Sequence, residues 1–208
     1  MKLIFTSEDE GKILFRKLEA ECFLLGNGEA EVKLTSCPDK VSVRTIDSFA
    51  KKVARKLAKE KVTVAYLITE AGTALDEKCR ESKVLRMSRS EYMFKLEPDP
   101  DREKEPGAEL LLTNGVEEEE DTIIVSSGEK DVFTAKLRPY SDGMYLYGVE
   151  VREDMRHRGF GKKYMKGVAY AFRDSRIYLQ VGSPNVIACK LYRDLGFEVD
   201  KELCYRII

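Results

Sequence analysis

The chain has 208 residues, 43% hydrophobic and 35% charged, with 36 basic and 37 acidic side chains. That apolar share can build the core of one good-sized domain or two small ones, and a net charge of −1 argues against nucleic acid or an anionic membrane as a main partner. Five scattered cysteines without C-x-x-C spacing (Cys22, Cys37, Cys79, Cys189, Cys204) and a lone His157 offer no ordinary metal-ligand set and suit a reducing cytoplasm.

Met1–Phe5 breaks at once into Thr6-Ser7-Glu8-Asp9-Glu10, so no secretory leader is expected, and no apolar run reaches the length of a membrane span. Lys2–Thr6 reads as a strand. Ser7 and Glu10 resemble a capping box for a helix towards Leu18, with Leu14 and Leu18 on one face, although Gly11 counts against it. Apolar segments flanking Gly26-Asn27-Gly28 signal a hairpin. Val41–Arg44 reads as a strand, with Asp47 or Ser48 capping the helix that follows. That helix has an apolar stripe of Phe49, Val53, Ala54, Leu57 and Ala58, and Lys51, Lys52, Arg55, Lys56 and Lys59 form its solvated outer face. Val62–Ile68 is a buried strand, Thr73–Glu81 a short helix, and Val84–Met87 and Tyr92–Leu96 are strands. Glu97–Gly107 combines prolines with dense charge and reads as a linker; Glu117–Asp121 reads as a solvated acidic turn.

Beyond it, Thr122–Val125, Val132–Leu137 and Met144–Val151 are strands, with a turn at Ser126–Lys130. The last strand leads into Arg156-His157-Arg158-Gly159-Phe160-Gly161, and Phe160, Tyr164, Met165, Val168, Ala169 and Phe172 then recur at helical spacing. A strand thus feeds a basic glycine turn that opens a helix. Glycines let backbone approach a ligand closely, and a helix's first turn offers unpaired N–H groups with partial positive charge. With Arg156, Arg158, Lys162 and Lys163 this is a candidate pyrophosphate cradle. Ile177–Val181 is the next strand. Ser183-Pro184 then starts a second helix, with Ile187, Ala188, Leu191 and Leu195 as its core face and Gly196 as its stop; Phe197–Val199 and Leu203–Ile207 are terminal strands.

The turn resembles the acetyl-CoA motif R/Q-x-x-G-x-G/A of the GNAT family of N-acetyltransferases, through Arg156, Gly159 and Gly161. Asn185, Ala188, Leu191-Tyr192 and Leu195-Gly196-Phe197 resemble its second motif, N-x-x-A-x-x-L-Y-x-x-L-G-F. The likeness runs from about Thr122 to Ile208. It implies a mixed α/β fold of the GNAT acyl-CoA N-acyltransferase type, acetyl-CoA as cosubstrate, and an amine acceptor of unknown type. It also implies site residues. Val149 and Val151 would lie along the pantetheine, with backbone N–H groups exposed where strands splay and with Gly148 marking a bulge. Arg156, His157, Arg158, Gly159, Phe160, Gly161 and Lys162 would hold the pyrophosphate, and Asn185 would touch pantetheine or acceptor or else simply start its helix. Tyr192 would donate a proton to the leaving thiolate. The base stays open: Tyr145 and Tyr147 share one strand face by alternation, whereas parity puts Glu150 on the other.

The order strand, helix, strand, helix, strand between Val41 and Leu96 recurs between Tyr147 and Ile208, aligning Phe49 with Phe160 and Thr45–Ser48 with the glycine turn. Residues 1–97 therefore read as a degenerate GNAT-like half, 98–118 as a linker and 119–208 as the acetyl-CoA-binding half. The early helices that usually shape the family's acceptor site have no room before Thr122. The leading expectation is a cytoplasmic N-acetyltransferase acting through a ternary complex, with no metal, nucleic acid or membrane; a homodimer stays open. A non-catalytic acyl-CoA sensor or scaffold is the alternative.

Overall fold

The computed structural model describes residues 2–5, 10–15, 18–25, 27–37, 41–114, 123–127 and 132–208. They form two compact units, Met1–Glu91 with Lys201–Ile208, and Tyr92–Asp200.

The first unit begins with four strands, β1 (Lys2–Phe5), β2 (Glu10–Phe15), β3 (Leu18–Leu25) and β4 (Glu29–Ser36), each antiparallel to the next. Helix α1 (Val43–Leu57) leads to β5 (Val64–Glu70), which pairs in parallel with β4, and α2 (Ala74–Arg80) leads to β6 (Arg86–Leu96). The expected helix towards Leu18 is instead β2 and the start of β3. Ile13 and Phe15 are buried while Lys12 and Leu14 are exposed, a period of two that outweighs the Leu14–Leu18 spacing. Ser7 itself lies outside the described residues. Val43 and Arg44 belong to α1 rather than to a strand, because the Ser42 hydroxyl caps the helix by accepting from Thr45 N at 3.2 Å. The buried stripe is Ile46, Phe49, Ala50, Val53 and Leu57.

In the second unit, β7 (Leu111–Asn114), β8 (Ile123–Ser126), β9 (Phe133–Tyr140) and β10 (Gly143–Val151) form antiparallel pairs in turn. Helix α3 (Phe160–Ala171) leads to β11 (Arg176–Gly182), parallel to β10, and α4 (Val186–Asp194) leads to β12 (Glu198–Ile207). The strand order is β6-β11-β10-β9-β8-β7, giving a mixed sheet. Phe133, Ala135, Leu137, Leu146, Ile177 and Leu179 face Met165, Val168 and Ala169 of α3 and Cys189 and Tyr192 of α4 in one core. The acidic run Glu117–Asp121 and most of the turn at Ser126–Lys130 lie outside the described residues. The charged segment after Glu97 packs along α3: Asp99 N donates to Arg173 O at 2.8 Å and Lys166 pairs with Glu105 at 2.8 Å.

The two halves therefore share one order of elements, four strands followed by helix, strand, helix and strand. Their terminal strands are exchanged. Leu203–Ile207 of β12 pairs antiparallel with β5 inside the first unit, and Tyr92–Leu96 of β6 belongs to the second, where β6 neighbours β11. The exchanged β12 carries Arg206, 3% exposed, onto Asp76 of α2, 0% exposed, with 2.6 Å between Nη2 and Oδ1.

Candidate functional site

The site is built where β10 and β11 part. Their parallel ladder runs from Gly143–Arg176 to Leu146–Leu179 and stops there, though β10 continues to Val151 and β11 to Gly182. At the same point β10 bulges against β9: Tyr147 stands opposite Lys136 and Glu150 opposite Thr134, so Gly148 and Val149 face the single Ala135. Gly148, at φ 57°, takes up the left-handed backbone that the extra residue requires. The expected splay and bulge are both present.

The bulge changes one expectation. Residues directly opposite in a ladder share a face, and Tyr145, Tyr147 and Glu150 stand opposite Arg138, Lys136 and Thr134, whereas Leu146 and Val151 stand opposite the buried Leu137 and Phe133. Glu150 is thus on the tyrosine face, because the extra residue cancels the parity that simple alternation gives. The Tyr145 hydroxyl donates to Gln180 Oε1 at 2.8 Å, and its ring lies 6.1 Å from Tyr147 and 5.5 Å from Tyr140. Val149 and Val151 pack on the helix side.

After β10, residues Glu153–Met155 make one tight helical turn and the chain enters α3 through two left-handed residues, His157 at φ 60° and Gly159 at φ 83°. Gly159 occupies the N-cap, and a Cβ there would meet nothing within 4 Å, so open space lies in front of the helix end. The first α3 backbone bond runs from Lys163 N to Gly159 O at 3.1 Å. The N–H groups of Phe160, Gly161 and Lys162 precede it and have no intrahelical acceptor. Arg156 Nε donates to Val151 O at 3.0 Å, fastening the turn to the end of β10, while Arg158 lies exposed. These donors suit a pyrophosphate: an open helix N-terminus with cations around it.

Helix α4 closes the helix side of the opening. Gly161 lies between Val151 and Leu191, whose methyl groups would be 3.6 and 3.9 Å from an added Cβ. Asn185, not Ser183, caps α4, its Oδ1 accepting from Ala188 N at 3.1 Å. The helix is rotated from the expected phase: Ile187 is 77% exposed, and Cys189, Tyr192 and Leu195 are the buried positions. Ile187, expected in the core face, and its neighbour Val186 are exposed at the start of the helix. Tyr192 is 6% exposed, with its ring 6.0 Å from Phe94 and 5.5 Å from Phe197. Burial, and then the neighbouring Cys189, push its hydroxyl up to about 12. Tyr192 therefore stands on the helix side of the sheet and Tyr145, Tyr147 and Glu150 on the other, with the opening between β10 and β11 separating them.

Among its described residues, the first unit has no equivalent of the turn. The helix caps Thr73 and Asn185 are 112 residues apart, and that offset sets Asp76 and Arg80 where the second half has Ala188 and Tyr192. The stretch before α1 is Cys37-Pro38-Asp39-Lys40-Val41-Ser42, without glycine. Thr45–Ser48 lies inside α1 and is not the counterpart of the turn.

The GNAT acetyltransferase family model matches residues 84–197. The chain belongs to that family of acyltransferases, whose members use acyl-CoA. No curated protein sequence matches it significantly. Among solved structures it is similar to a GCN5-related N-acetyltransferase from Kribbella flavida, with 15% identity, 96% of this chain and 89% of that one covered, and a TM-score of 0.70. One from Sphaerobacter thermophilus gives 12%, 97%, 81% and 0.68. A tandem GNAT protein from the clavulanic acid biosynthesis pathway gives 9%, 96%, 78% and 0.62. At these identities the likeness is one of fold. Among the described residues no cluster of three or more His, Cys, Asp or Glu side chains is placed to hold a metal, and no helix is long and apolar enough to cross a membrane.

Proposed function

We propose that the chain is a cytoplasmic N-acetyltransferase that moves acetyl from acetyl-CoA to a primary amine by direct attack within a ternary complex. The observation that carries this reading is the interrupted β10–β11 ladder opening beside the left-handed glycine start of α3. Bound acetyl-CoA supplies an activated thioester. Main-chain N–H groups from Arg158 to Lys162 hold the pyrophosphate, and Arg156 keeps their turn on the end of β10. Backbone beyond Leu146, released from the parallel ladder, aligns pantetheine beside Val149 and Val151 and polarises the thioester carbonyl. Tyr192 gives its proton to the departing thiolate from the helix side. Glu150, with Tyr145 and Tyr147 beside it, receives the amine's proton through water on the other side. The first unit keeps the order of elements but not the turn, and serves as a degenerate half. Five scattered cysteines without C-x-x-C spacing suit a reducing compartment.

Thiol release from acetyl-CoA across a panel of amines tests the reading. Amine-dependent release is expected; acetyl-CoA binding with no release across the panel would favour a sensor instead. Tyr192→Phe should lower turnover by about a hundredfold and leave acetyl-CoA affinity little changed in calorimetry. A native rate would remove the donor role. Because the Tyr192 hydroxyl is pushed up to about 12, its ionisation should not cut turnover until pH is well above the ordinary tyrosine range.

A further inference from the structure

We infer that the acceptor carries an anionic group set apart from its amine, and that Arg138 binds that group. The inference rests on the acyl-transfer reading for the place of the amine, at the opening that begins beyond Leu146.

Arg138 stands opposite Tyr145 on the same face as Tyr147 and Glu150. Its guanidinium lies 5.5 Å from the ring centroids of both Tyr145 and Tyr147, which are themselves stacked. Aromatic rings, not a carboxylate, hold this cation; among the described residues it has no acidic partner. Arg176, also on this face, is committed to Glu97 at 2.7 Å and to Asp142. A guanidinium supported by rings keeps its fork of N–H donors for a planar anion, and the rings shield one side of the pair from water. The exposure of Arg138 leaves that fork accessible.

Register sets the size of the ligand. Tyr145 pairs with Arg138, and the opening begins at Tyr147, two residues further along β10. At strand rise that separation is ~7 Å, which a chain of about five methylenes bridges and the single carbon of an α-amino acid does not. The fitting class is an ω-amino acid: the side-chain amine of a basic amino acid, or an amine at the end of a short acid chain. Arg138 then sets specificity, holding the carboxylate while the amine reaches the thioester.

The test is calorimetric titration of aminocaproate, hexylamine and glycine into protein saturated with CoA. Native protein should bind aminocaproate at least ~10-fold more tightly than hexylamine, as expected for a hydrogen-bonded charge pair, and glycine should gain nothing from Arg138. In Arg138→Ala the preference should fall to about parity, and Arg138→Lys should restore part of it. Equal binding of the two amines by native protein, no binding of either, or a preference that survives Arg138→Ala overturns the proposal. An Arg138-dependent preference without thiol release would instead sink the transfer reading and leave the anion site standing.

Discussion

Replacing Gly161 by aspartate should leave the protein folded and cut acetyl-CoA affinity by a hundredfold or more, about 3 kcal/mol. Gly161 is the second residue of α3, where a carboxylate is favoured by the helix dipole. Its Cβ would meet Val151 and Leu191 at ordinary contact distances of 3.6 and 3.9 Å, so the substitution imposes no clash. What it adds is a negative charge among the N–H groups assigned to the pyrophosphate. Gly161→Ala is the matched control and should retain most of the affinity. A thermal melt at or above the native midpoint, with binding lost in calorimetry, is the expected pair of results. Undiminished affinity in Gly161→Asp would remove the cradle from the account.

The second large effect concerns stability. Asp76→Ala should destabilise the protein by ~3–5 kcal/mol, because it leaves a buried arginine without its counter-charge. Asp76 accepts from Thr69 Oγ1 at 2.9 Å, from Arg206 at 2.6 Å and from Arg80 at 2.8 Å, and Arg206 also donates to Thr69 at 2.6 Å. Burial would raise the Asp76 carboxyl, but hydrogen bonds from Arg206 and Thr69 outweigh it and hold the group below its usual range. A carboxyl depressed in the folded state adds stability that is present above the ordinary aspartate value and lost as pH falls through the lower folded one. Urea unfolding at neutral pH should show the full loss in Asp76→Ala, and the gap to native protein should close in strong acid. Asp76→Leu combined with Arg206→Met should recover much of the stability, since the charge is then removed with its partner. A native midpoint in Asp76→Ala would show that the pair contributes nothing.

The second half was legible in the sequence because its elements have clean periods. The α3 pattern from Phe160 and the β10 alternation from Met144 agree with the structure to within a few residues. The first half was harder, for identifiable reasons. Arg16-Lys17, between β2 and β3 in the sequence, has none of the glycine, asparagine or proline that marks a turn, so β2 and the start of β3 read as one helix. Val41 and Val43 suggested a strand by their branching, while the decisive residue was the Ser42 cap. The exchange of β6 and β12 left no local trace, since pairing between Leu203–Ile207 and β5 spans most of the chain. At the site, Gly148 signals a bulge in the sequence, but its consequence for Glu150 follows only from the register with β9. The motif alone points to Tyr192. That it stands across the opening from Tyr145 and Tyr147 needed the fold.

The central claim is that one of two like-ordered halves holds acetyl-CoA, through the turn from Arg156 to Gly161. Calorimetric titration of native protein with acetyl-CoA tests it most directly. The account predicts one molecule bound per chain; two per chain, or none, would contradict it.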